Sequence, residues 1–107
     1  MVFRDCNDVK AKEIMDGITA RLVHSENMTV QFVEIRKGAK APEHSHPHEQ
    51  ISTMISGEFE MTVDGESKIL KPGISAVIPP NVRHSGLAIT DCKGIDIFHP
   101  VREDFKK

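Results

Sequence analysis

The stretch Gly38-Ala-Lys-Ala-Pro-Glu43-His44-Ser45-His46-Pro47-His48-Glu49-Gln50-Ile-Ser-Thr-Met-Ile-Ser56-Gly57 decides the fold and points to the chemistry. His44 and His46 stand two residues apart, so on an extended strand over 42–46 both imidazoles project from one face and can share an ion. Gln50 heads the next strand, where its carboxamide oxygen can supply another ligand. His84 comes from a distant segment, just after the turn Pro79-Pro80-Asn81. A site drawn from two chain segments of a β-roll is rigid and favours fixed coordination. Taken alone, the HxH pattern is also what a solvent-exposed histidine-rich loop beside Pro47 would show.

Outward from this stretch the chain is punctuated by Asp16-Gly17, Lys37-Gly38, Asp64-Gly65, Pro72-Gly73 and Pro79-Pro80-Asn81, leaving little room for long helices. The pieces between alternate or are rich in β-branched residues, as in Met28-Thr-Val-Gln-Phe-Val-Glu-Ile35. They predict strands over 9–15, 18–24, 28–36, 42–46, 50–56, 58–63, 66–70, 74–78, 83–89 and 93–99. Asp16-Gly17 and Asp64-Gly65 suit tight hairpin turns. Short strands at this spacing predict an all-β antiparallel sandwich or barrel, with a charged tail or short helical turn from Arg102 onward.

The 107 residues, 28% of them charged, describe one domain spanning 1–107. No apolar run reaches the roughly 20 residues of a membrane helix, and the N-terminus has no leader pattern, so a cytoplasmic protein without a membrane partner is expected. The 14 basic and 16 acidic residues form no cationic block, which argues against nucleic acid as a partner. Cys6 and Cys92 lie far apart and read as reduced thiols.

The spacing Gly38, His44, His46, Gln50, Gly57 and then Gly73, Pro79, His84 resembles the two motifs of the cupins. The resemblance implies a double-stranded β-helix, or jelly-roll barrel, with a metal inside the roll and a metal-binding core over about 28–102. Its ligands would be His44, His46, Gln50 and His84, and the ion one divalent transition metal: zinc, nickel, manganese, iron and copper all suit such a set. Gln50 stands where the motif has Glu, Asn81 where it has Gly, and Ala88 where it has Asn. The first change leaves four neutral ligands, so the ion keeps its full charge and acts better as a Lewis acid than as a redox centre. That favours an isomerase or lyase over an oxygenase. Pro47 breaks the two-residue rhythm before His48, which reads as a pocket-rim or supporting residue. His24 and His99 have no partner pattern.

In Gly94-Ile-Asp96-Ile-Phe98-His-Pro100-Val-Arg102-Glu-Asp104, Asp96 and Phe98 share one strand face. On their own they fit a structural ion pair between Asp and Arg at a strand end as well as a catalytic carboxyl and a carboxylate clamp. The pattern DxFxPxRxDF beside HSHPHEQ resembles the pectin-degradation cupins of the KdgF type. The resemblance implies ring opening of 4,5-unsaturated hexuronate monomers to 5-keto-4-deoxyuronate in pectin and alginate catabolism. It assigns Asp96 to proton transfer, Arg102 to the carboxylate of a small anionic sugar and Phe98 to the pocket wall. A non-catalytic cupin binding a sugar acid, or another metal-dependent cupin enzyme such as a dioxygenase, are the alternatives. With Gln50, Ser52 and Met54 facing inward, Ile51, Thr53 and Ile55 face out and need a cover. An N-terminal strand or, in a homodimer, a partner chain would provide it.

Overall fold

The computed structural model describes residues 2–106 and is built from ten antiparallel strands. They are β1 (Lys12–Met15), β2 (Ile18–His24), β3 (Thr29–Ile35), β4 (Lys40–His44), β5 (Glu49–Ser56), β6 (Phe59–Val63), β7 (Glu66–Leu70), β8 (Ser75–Ile78), β9 (His84–Ala88) and β10 (Cys92–His99). One sheet runs β1-β2-β3-β10-β5-β8 and faces a second, β4-β9-β6-β7, so the all-β expectation holds. At the β6–β7 hairpin Asp64 and Gly65 both take positive φ, 49° and 82°, the geometry that a right-twisted two-residue turn demands. Among the described residues no helix is long and apolar enough to cross a membrane.

Two expected strands shift. The first begins at Lys12 rather than residue 9, because Cys6–Asp8 forms a 3-10 turn capped by the Asp5 side chain. The fourth covers 40–44 rather than 42–46, so His46 lies just past the strand end. The charged tail folds into a 3-10 turn, Glu103–Lys106. Both cysteines are free, as expected.

The space between the sheets divides along the strands. Asp96 on β10 sits opposite Gln31 on β3 and Ser52 on β5; two residues further, Gly94 sits opposite Val33 and Met54. The inward face therefore turns from polar to apolar at one level across three strands. The apolar end holds Ile18, Val33, Ile35, Met54, Phe59 and Met61, and Gln31, Gln50, Ser52 and His84 are buried at the polar end.

Two turns fix the motif segments. Gly57 has φ +86°, and a Cβ there would run into the Asp91 carbonyl, so only glycine fits the step between β5 and β6. Asn81 has φ +65°, a left-handed conformation that Asn tolerates better than other residues with a Cβ, which is how it replaces the motif's glycine. Its N–H donates to the His46 carbonyl at 2.7 Å and ties the second motif to the first.

Outward from the six-stranded sheet, Ile51 and Ile55 are 40% and 55% exposed. β1 pairs only with β2 at the sheet edge, so the N-terminal strand does not cover them.

Candidate metal centre

The antiparallel register of β4 and β9 sets His44 opposite His84 with ring centroids 4.2 Å apart. The His46 ring is 4.9 Å from that of His84 and 5.8 Å from that of His44. One ring nitrogen from each of the three lies within 4.8 Å of the others. His44 is exposed at the mouth, His46 half-buried and His84 buried.

Main-chain carbonyls fix the tautomer of every ring. Nδ1 of His44 donates to Pro42 O at 2.8 Å, that of His46 to His48 O at 3.0 Å, and that of His84 to Val82 O at 2.9 Å. A carbonyl only accepts, so each neutral ring carries its proton on Nδ1 and presents a lone pair at Nε2. Gln50 adds a fourth. Its Nε2 donates to Ser52 Oγ at 2.9 Å, which turns Oε1 toward His46 Nε2, 2.9 Å away. Acceptors thus face one another with no donor between them, and His84 Nε2 is buried without a partner. Leaving even one buried acceptor unpaired costs about 1–3 kcal/mol. A cation satisfies all four at once, so the residues fit a divalent metal.

Burial lowers the pKa of His84 and of His46, the latter helped by the Arg102 charge, and keeps both rings in the neutral, ligating form. His48 contributes its carbonyl to His46, with the rings 5.5 Å apart. His24 is a satisfied structural residue, its Nδ1 within 2.8 Å of Thr29 Oγ1.

Asp96 lies behind the histidines. Ser52 donates to its Oδ1 at 2.6 Å and Gln31 to its Oδ2 at 2.8 Å, so a chain of hydrogen bonds runs Gln50, Ser52, Asp96, Gln31. Burial raises the Asp96 pKa, and the bonds from Ser52 and Gln31 oppose the rise without cancelling it.

Phe98 sits on the inward face two residues on, its ring 5.7 Å from that of His46. Arg102 is buried, with its guanidinium 4.7 Å from the Phe98 centroid and 3.8 Å from that of Phe105. Its Nε and Nη2 bond the two carboxylate oxygens of Asp104 at 3.0 and 2.8 Å. The ion pair at this strand end is therefore Arg102–Asp104, not Arg102–Asp96, and Arg102 retains Nη1 donors for another anion.

The three histidines, Gln50, Gln31, Asp96, Phe98, Arg102 and Phe105 line one cavity of about 200 Å³ whose far wall is the apolar end of the roll. The sequence had singled out His44, His46, Gln50, His84, Asp96, Phe98 and Arg102, and the fold brings them together here. Ser52, Gln31, Asp104 and Phe105 were missed. Ser52 was legible as the inward residue after Gln50. Gln31 was not, because polar Thr29 and Gln31 alternate with apolar Val30 and Phe32, and nothing local says which set faces in.

Residues 31–98 match the model of the Cupin domain family. The pectin degradation protein KdgF of Dickeya dadantii is 33% identical over 97 residues, 88% of each chain. The crystal structure of an RmlC-like cupin from Shewanella frigidimarina superposes with a TM-score of 0.92 at 32% identity, over 98% of this chain and 96% of that one. The structure of KdgF from a Halomonas species gives 0.91 at 29% identity, over 98% of both chains.

Proposed function

This chain belongs to the cupin family, and from that premise we propose that it opens the ring of 4,5-unsaturated hexuronate monomers, a metal-dependent isomerisation within pectin and alginate breakdown in the cytoplasm. The observation that carries the proposal is the convergence of the three imidazole Nε2 atoms and Gln50 Oε1 beside a buried carboxyl of raised pKa. The resemblance to proteins named KdgF supplies the substrate class.

The substrate is a hemiacetal at C1 with a C4–C5 double bond next to its carboxylate. Ring opening removes the proton of the anomeric hydroxyl, makes C1 an aldehyde and breaks its bond to the ring oxygen. That oxygen leaves as a C5 enolate, and protonation at C4 gives the 5-keto product. His44, His46, Gln50 and His84 would hold a divalent ion, which would supply positive charge to stabilise the enolate that ring opening creates. Asp96 takes the first proton and returns one at C4; a pKa raised by burial suits a group that must both accept and release. Arg102, braced by Asp104, offers its free N–H edge to the carboxylate. Phe98 walls the pocket against water.

The test follows the ultraviolet band of the conjugated enol ether. Metal-loaded protein should discharge the band and a chelator should stop it. With no Trp and no Tyr, the protein adds little background. Tight sugar binding with an unchanged band would make the protein a sensor instead.

We also propose a homodimer closed across the outer face of the six-stranded sheet. Val23, Val30, Ile97, Ile51 and Val77 sit side by side on five adjacent strands, and Val77 is 63% exposed. Strand spacing and rise give this face roughly 450 Å² per chain, so two copies bury about 900 Å², the size of a small two-fold contact. Light scattering should give a two-chain mass, and Ile51→Lys with Val77→Lys should give a folded monomer. A monomeric wild type overturns the dimer.

A further inference from the structure

Besides His84 Nε2, the cavity residues include a second buried polar atom with no partner, Oε1 of Gln31. Gln31 is 5% exposed, sits on β3 opposite Asp96 and lines the cavity. Leucine would fill a similar volume there without leaving an acceptor unpaired, and unpaired buried acceptors are rare enough to need a cause. For His84 Nε2 the cause is the ion. The Gln31 oxygen is an acceptor without a donor, and it calls for one.

The amide cannot turn over to solve the problem. Its Nε2 donates to Asp96 Oδ2, while Ser52 donates to Oδ1. A flip would aim the amide oxygen at a carboxylate oxygen and leave the nitrogen orphaned instead. Gln31 therefore presents a fixed acceptor next to the group that moves protons. A fixed neutral acceptor excludes carboxylate and phosphate and selects a hydroxyl.

We propose that Gln31 Oε1 accepts a hydrogen bond from the substrate hydroxyl at C2, beside the anomeric centre, while its Nε2 holds Asp96 in register with that centre. The inference rests on the ring-opening function and adds a specificity-determining residue to it. One amide then links recognition of the sugar to the placement of the carboxyl, because both of its ends are engaged only when the right hydroxyl is present.

The test compares kcat/KM for the unsaturated monomer and its 2-deoxy analogue, using metal-loaded wild type, Gln31→Leu and, as a second variant of similar length, Gln31→Met. The wild type should favour the hydroxylated sugar by about 50-fold, the scale on which leaving one buried acceptor unpaired is penalised. Both variants should bring the ratio to within about threefold at unchanged metal content. Loss of Asp96 positioning alone would slow both sugars equally and leave the ratio intact, and that result overturns the inference. A wild-type ratio near one overturns it without any variant. Failure of the metal-loaded wild type to open either sugar overturns the ring-opening function and this inference together, whereas turnover with an unaltered variant ratio overturns this inference alone.

Discussion

Asp96→Asn is expected to lower kcat for ring opening by about 10³-fold, the middle of the range for loss of a proton-transfer group, with metal content unchanged. The substitution keeps shape and most bonds. Ser52 still donates to the remaining oxygen, and the Gln31 amide turns over so that its oxygen accepts from the new amide. Stability should move the other way. Burial raises the Asp96 pKa above its unfolded value, so the stability this group contributes is fully present below the unfolded pKa and is lost as pH rises through the folded one. At neutral pH the wild type bears the cost of a carboxyl whose ionisation burial disfavours, and the variant lacks that cost. Thermal melts of metal-free protein should show Asp96→Asn at least as stable as wild type at pH 7, with any advantage vanishing at acid pH below about 3.9, the ordinary carboxyl value. Demetallation of the variant, or retained turnover, would remove Asp96 from the proton path.

His84→Ala is expected to abolish metal retention and with it all turnover. Removing residues that merely support ligands costs 10–100-fold in metal affinity. Loss of a ligand should exceed about 100-fold. The fold should survive, because among the described residues the only side-chain hydrogen bond His84 makes is from Nδ1 to the Val82 carbonyl, and its main-chain pairing in β9 does not depend on the ring. Metal analysis after gel filtration, beside circular dichroism, separates the two effects. A variant that keeps a stoichiometric ion would mean that the four lone pairs do not act as one site.

Most of the architecture was legible because its signals are local. Asp64-Gly65 announces its turn, and the β-branched runs between glycines announce the strands. The candidate ligands were picked out by their resemblance to the two cupin motifs, and two-residue alternation puts Gln50 on the face that Ser52 and Met54 share. Less could be read where pairing across strands decides. The end of β4 falls at His44 rather than 46 because the chain must turn there for His46 to receive the Asn81 N–H, a contact 35 positions apart. On β3 the inward residues Thr29 and Gln31 are polar and the outward Val30 and Phe32 apolar, the reverse of what solvent would ask of an isolated sheet. Only the neighbouring strand, with Asp96 directly opposite, explains the inversion. The partnership of Arg102 was also hidden, because Asp96 and Asp104 are equally plausible in sequence and only the 3-10 turn chooses between them.

β10 is the ribbon on which these demands meet. Its inward side carries Asp96 and Phe98, and its outward side Ile95 and Ile97. The two sides are not independent: a change that re-seats the outward isoleucines also shifts the buried Asp96 carboxyl between them. A lineage retaining this chemistry should therefore vary first at the edge strands and leave this ribbon until last.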